Sequence, residues 1–182
     1  MAILKVARLG HPVLRKVAEL IAPRDIGRPE IQRLIDDMVE TMHEYVGVGL
    51  AAPQVHVSQQ IAVLECESHS RYPEMPPIPL MVLINPVLTP IDDTTVVDWE
   101  GCLSIPDFRG VTPRHQVVRL VAHGRLGERI ELEARDFFAR VLQHETDHLN
   151  GKVYVDRMGD LTTLSHLPEW SRYWLEAERS EQ

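Results

Sequence analysis

Two histidines four residues apart, with a glutamate beside the first, form the sharpest chemical signal in the chain: His144-Glu145-Thr146-Asp147-His148. On a helix, positions i and i+4 lie one turn apart on the same face, so two imidazoles there can grip one metal ion. The adjacent glutamate can then serve as general base on a water held at that metal. The plainer alternative is that both histidines pack or face solvent. Two histidines do not complete a hydrolytic site, because zinc-type catalytic centres take three protein ligands and leave one position for water. Downstream, Asp156, Asp160 and His166 fall in no motif. Upstream stands Glu100-Gly101-Cys102-Leu103-Ser104, in which Cys102 follows a strand candidate and a glycine that lets backbone approach closely. A thiolate beside two imidazoles would make a tetrahedral site with one open corner. The alternative for Cys102 is a buried, inert thiol, the usual state of a free cysteine, and Cys66 keeps that reading.

A third stretch, Gly47-Val48-Gly49-Leu50-Ala51-Ala52-Pro53-Gln54, superficially fits a dinucleotide-binding fingerprint. That fingerprint should follow a strand and open a helix, whereas this one follows a helix and runs into Pro53, so the reading is rejected. It reads instead as a tight loop whose backbone can approach a substrate, with Gln54 offering a side-chain amide. A plain helix-ending turn is the alternative.

These residues need elements to hold them. Ala134 to Leu149 reads as a helix, with Phe137, Val141, Glu145 and His148 on one stripe and Asn150-Gly151 to end it. A second amphipathic helix opens at Pro29 and carries Ile31, Leu34, Ile35, Met38, Val39 and Met42 before the period fails at Gly47. Short strands are expected at 61–65, 80–85 (stopped by Pro86), 96–99, 117–122 and 129–133. The turn Gly124-Arg125-Leu126-Gly127 joins the last two as a hairpin. Residues 1–24 read as an irregular arm turning at Gly10-His11-Pro12, 68–79 as a proline-rich surface loop, and the tail from Leu161 as a short packed helix. Strands between two main helices, without βαβ alternation, give an α+β fold class.

Composition sets the outer bounds. The chain has 182 residues, enough for one hydrophobic core and few for two, so a single domain over 1–182 is expected, with a core of about 9–157 and a tail of 161–182. No apolar run approaches the ~18–20 residues that span a bilayer. The formal charge of −8 argues against non-specific nucleic-acid binding, and two cysteines exclude a disulfide framework or a four-cysteine zinc site. The first residues lack a signal-like or transit-like segment, so a bacterial cytoplasmic location is expected.

Taken together, the three motifs resemble the peptide deformylases, whose signatures are G-x-G-x-A-A-x-Q, E-G-C-x-S and Q-H-E-x-x-H-x-x-G. Here they stand complete and in order at 47–54, 100–104 and 143–151, supported by Gly10-His11-Pro12-Val13-Leu14-Arg15 and Ile84-Asn85-Pro86. The resemblance runs from about Leu9 to Arg157. It implies mostly antiparallel short sheets packed around a central metal-binding helix. It also implies a hydrolase that removes the formyl group from the formylmethionine terminus of nascent polypeptides and releases formate. The implied metal ligands are Cys102, His144 and His148, with Glu145 as catalytic acid and base. The implied ion is Fe(II), with zinc, nickel or cobalt also compatible with a thiolate and two imidazoles.

By the same resemblance, the Gln54 amide and the Leu103 backbone N–H stabilise the oxyanion. Gly49 and Gly101 let backbone meet the peptide, and Val48, Phe137 and Val141 wall a pocket for the methionine side chain, though each also reads as plain core. Glu100 and Arg114 are expected as a buried pair bracing the cysteine loop, against the alternative of two exposed charges. Arg109 stands near the groove mouth, either on the peptide or in solvent. Formylmethionyl nascent peptides are the expected partners, met in passing near the ribosome, with no nucleic acid or membrane. The acidic end (Glu176, Glu178, Glu181) does not suit gripping RNA phosphates, and the 68–79 loop is a candidate lid. The competing readings are a metallopeptidase, which gives Cys102 and Gln54 no role, and a non-catalytic peptide-binding module with a structural metal.

Overall fold

The computed structural model describes residues 2–67 and 77–175; most of the candidate lid over 68–79 and the acidic end at 176–182 lie outside the described residues, and the last two residues of that expected loop, Ile78 and Pro79, are instead the start of a strand. Among the described residues, two main helices and eight strands form the frame. In chain order these are α1 (Pro29–Glu44), β1 (Gly49–Ala51), β2 (Ile61–Cys66), β3 (Ile78–Pro90), β4 (Thr95–Cys102), β5 (Ile105–His115), β6 (Val117–His123), β7 (Arg129–Arg135), α2 (Asp136–Leu149), β8 (Ser165–His166) and the short α3 (Leu167–Trp170). Five strands make one antiparallel sheet in the order β1-β2-β3-β6-β7, and β4, β5 and β8 make a second.

The apolar stripe of α1 buries Ile31, Ile35, Met38 and Met42 against Leu50, Ile61, Val63, Val82 and Ile84. A separate cluster joins α2, through Ala139, Val141 and Leu142, to Leu64, Leu83, Val118 and Leu120. Because side chains alternate along a strand, Ile61 and Val63 face one helix and Leu64 the other, so α1 and α2 cover opposite faces of the larger sheet. Helix α2 also packs on β5 of the smaller sheet. There the Gln143 side chain exchanges two hydrogen bonds with the His115 backbone, at 3.0 and 2.8 Å.

The differences from the sequence expectation have local causes. Strand β3 does not stop at Pro86. Asn85 takes φ +52° and the register shifts between Ile84 and Val87, so the residue without an N–H falls in a bulge and pairing resumes to Pro90. The Asn85 side chain uses that bulge to exchange hydrogen bonds with the Ile21 backbone, pinning the N-terminal arm. Strand β5 escaped notice because Pro106, Gly110 and Pro113 break its pattern, yet it pairs with β4 along nearly its whole length. Gly49–Ala51, expected in a loop, is an edge strand, and Ala52–Val55 follows as a 3-10 turn. Helix α2 begins at Asp136, since Ala134 and Arg135 still pair in the expected β6–β7 hairpin. The tail turns at Leu167–Trp170 and runs on as one π turn, Ser171–Leu175.

Candidate active site

The end of β4, an edge strand of the second sheet, comes close to helix α2. Cys102 is the last residue of β4, at a register shift that pairs it with Ile105 and turns the chain sharply over Leu103 and Ser104. His144 and His148 rise from one face of α2. Their ligating nitrogens and the Cys102 sulfur all lie within 4.8 Å of one another, and His148 Nε2 is 3.2 Å from Sγ. Three soft or borderline donors converging at this distance fit one divalent ion with a position to spare. Burial works to raise the Cys102 thiol, but His148 and His144 outweigh it and hold it well below the ordinary thiol range. A thiolate is the form that binds metal.

The surroundings fix those donors. His144 Nδ1 lies 2.8 Å from Glu100 Oε2, which turns the other ring nitrogen toward the sulfur. Glu100 is buried and takes a two-pronged contact from Arg114, Nε to Oε1 at 2.8 Å and Nη2 to Oε2 at 3.0 Å. Arg140 adds a third, Nη1 to Oε1 at 2.7 Å. Burial would raise the Glu100 carboxyl, yet Arg114 and His144 hold it far below its usual range. Arg114 also reaches Asp147 Oδ2 at 2.6 Å, and Arg157 closes on the same carboxylate from outside. One chain of charges therefore ties β4, β5, α2 and the segment after α2 together behind the metal ligands.

Glu145 and Gln54 sit in front of them. Glu145 is 4% exposed, and its Oε2 has no hydrogen-bond partner among the described residues. Burial pushes its carboxyl up, with the two histidines opposing. A buried, unpaired carboxylate oxygen beside three metal-type donors fits a site built to hold a further ligand. A Cβ on Gly49 would fall 2.7 Å from the Glu145 carboxyl carbon, so any side chain there would displace the Glu145 carboxylate. Gln54 accepts the Ala51 N–H at 2.9 Å through Oε1, which leaves Nε2 3.5 Å from Cys102 Sγ and 3.3 Å from Ser104 Oγ. The N-terminal arm holds both loops through Ala7 N–H to the Gln54 carbonyl and Leu9 N–H to the Ser104 carbonyl. The outer edge of β1 carries no strand among the described residues.

A model of the polypeptide deformylase family matches residues 3–163. The chain belongs to the peptide deformylase family. Peptide deformylase 1 of Bordetella pertussis is 45% identical over 161 residues, covering 88% of this chain and 90% of that one. Peptide deformylase 1 of Nitrosomonas europaea is 44% identical over the same shares. A class I type b peptide deformylase from Acinetobacter baumannii, solved with Met-Ala-Ser bound, superposes with a TM-score of 0.82 at 35% identity, covering 86% of this chain and 99% of that one. The Thermotoga maritima peptide deformylase gives 0.77 at 36% identity, with 88% and 100% covered. The antiparallel, helix-poor architecture is thus that of the family.

A cavity of about 570 Å³ opens at this site. Among the residues singled out from sequence, Val48, Gly49, Gln54, Glu100, Gly101, Cys102, Leu103, Arg109, Phe137, Val141, His144 and Glu145 line it. His148 is fully buried beneath, and Arg114 lies behind Glu100. Sequence reasoning missed Arg140, although it precedes His144 by one helical turn and so shares its face. It also passed over Asp147, inside the motif itself, because its partners Arg114 and Arg157 are not spaced to announce the contact. Trp99, Leu167 and Trp170, also on the cavity wall, carried no local signal.

Proposed function

We propose that this chain removes the N-formyl group from formylmethionyl nascent peptides at the cavity beside Cys102, His144 and His148. The observation that carries the reading is the convergence of these three donors within 4.8 Å of one another beside the buried, unpaired Glu145 oxygen. Cys102 Sγ and one nitrogen each from His144 and His148 would hold a single divalent ion. Fe(II) is the assignment, with zinc, nickel or cobalt as alternatives that the same donors accept. Such an ion, when bound, supplies Lewis acidity that brings the pKa of a coordinated water toward ~7.

The remaining work falls to the chain's own groups. Glu145 takes the proton from the attacking water and later gives it to the departing amine nitrogen, so formate and a free amino terminus leave. A carboxyl held up by burial is suited to that exchange. The Gln54 Nε2 amide and the Leu103 N–H donate to the oxygen that becomes negative, a contribution worth ~10²–10³ in kcat per donor. The edge of β1, unpaired by any strand among the described residues, suits an extended peptide laid along Gly49, with Val48, Phe137 and Val141 toward the methionine side chain. A family neighbour solved with Met-Ala-Ser bound supports this, since that peptide carries the terminus deformylation leaves.

We further infer one catalytic domain acting in a bacterial cytoplasm, where nascent chains emerge from ribosomes. Bacterial relatives support this, and no described helix is long and apolar enough to cross a membrane. The test is to incubate metal-loaded protein with a formyl-Met peptide, its acetyl counterpart and a longer unformylated peptide, and to measure formate and new amines. Formate from the formyl peptide alone is expected. Internal cleavage would mark a peptidase, and silence on all three a binding module.

A further inference from the structure

The strap formed by β8, α3 and the following turn, residues 165–175, has no part in the chemistry above, yet it walls the same cavity. Pairing of β8 with β5 at Phe108 and Arg109 brings Leu167, Trp170 and Leu175 into the cavity that holds Cys102 and Glu145. Trp99 of β4 meets the Trp170 ring edge-on at 6.1 Å and the Trp174 ring at 5.5 Å. All three tryptophans of the chain therefore gather at this one place. The Arg109 guanidinium stands 5.8 Å from the Trp170 ring centre, within cation–π range. The same guanidinium lies against Gly101, where a Cβ would fall 2.8 Å from its Nε. One arginine thus links the strap to the residue preceding Cys102. The family match ends at residue 163, so the strap lies beyond it.

The cavity's about 570 Å³ is in the range that accepts ligands larger than one formylated residue. Val48, Phe137 and Val141 already meet the apolar demand of a methionine. The strap is apolar wall in excess of that need. Successive side chains of an extended peptide point to opposite sides, so the second residue is offered a different wall from the first. We propose that the strap is this second wall. It recognises an apolar side chain on the residue after the formylmethionine, and Trp170 positions Arg109 at the rim. The inference rests on the deformylase reading and adds a specificity element to it.

The test compares formyl-Met-Leu-Ser with formyl-Met-Ala-Ser on wild-type protein and the Trp170→Ala, Trp170→Phe and Leu167→Ala variants. Wild type is expected to favour leucine. The leucine-to-alanine ratio of kcat/KM should fall about fivefold in Trp170→Ala, mainly through KM, and less in Leu167→Ala. Trp170→Phe, which keeps an aromatic wall, should retain most of the preference. A second readout uses binding alone. Met-Leu-Ser should change the tryptophan emission of wild type more than Met-Ala-Ser does, and Leu167→Ala, with all three tryptophans intact, should shrink that difference. If Trp170→Ala does not fold, Leu167→Ala decides both readouts. Active variants whose ratio and emission response stay at wild-type values overturn the strap's role. Wild-type protein that frees formate from neither peptide overturns the deformylase reading first, and this proposal with it.

Discussion

Glu145 and Cys102 stand at one site but should fail differently. Glu145→Gln keeps the side chain's shape and removes its ability to take a proton, so metal content should persist while turnover collapses, by about 10²-fold or more. Cys102→Ala removes one of three proposed ligands, so metal content and activity should fall together. Elemental analysis beside formate release separates the two cases, and near-native turnover in Glu145→Gln would remove it from the base role. Behind the site, Asp147 makes a pH prediction. Burial raises its carboxyl, but Arg157 and Arg114 outweigh that and hold it below the ordinary carboxylate value of ~3.9. The unfolded chain then binds the proton more readily. The stabilisation is complete above the unfolded value and is lost as pH falls through the folded one. Asp147→Asn should therefore unfold more easily than wild type at neutral pH, by ~3 kcal/mol for a broken buried pair. The gap should narrow as pH falls below the ordinary carboxylate range and close once the folded wild type is protonated too. Denaturant unfolding of both proteins stripped of metal measures this without interference from acid release of the ion. A gap that stayed constant with pH would mean the carboxylate's charge is not what matters.

At the scale of elements, β1 and α2 are set so close that their contact leaves no room for a methyl group. In Gly49→Ala the new Cβ meets the end of a side chain that can swing aside, so the fold should survive while the Glu145 carboxylate moves. A misplacement near 1 Å costs up to ~10² in rate, so activity should drop at least tenfold with little change in melting temperature. Equal loss of both would point to the fold rather than to the carboxylate's placement. Elements also explain what could be read beforehand. Helices α1 and α2 were legible because their apolar residues recur every three to four positions over four turns, and the β6–β7 hairpin because Gly124 and Gly127 bracket it. Strand β5 was not, since two prolines and a glycine interrupt it and its pairing with β4 is decided by the neighbouring chain. Of the site, the three motifs were legible as residue types at fixed spacing. The brace of Arg140 and Asp147 around Glu100 and Arg114 was only partly so, because contacts spanning 33 and 40 residues exist only after folding.

At the scale of the molecule, the proposed ligands come from β4 of the smaller sheet and from α2, which also lies on the larger one. An ion held by both would fasten the two sheets together. Its binding should stabilise the fold by about 2.7 kcal/mol at a free concentration 100 times its Kd. Chelation should therefore lower the melting temperature by roughly 5–10 °C for a chain of this size, and restoring the ion should recover it. Identical melting with and without chelator would show that the three side chains hold nothing that matters to folding. The side of β1 that no described strand pairs carries a different consequence. A long flat margin of unpaired backbone invites other copies of a protein to stack upon it and polymerise, and about six residues suffice for such a zipper. Here the margin is three residues, Gly49 to Ala51. For the peptide docking proposed above, three residues offer enough backbone for one passing guest, and they are fewer than such a zipper needs.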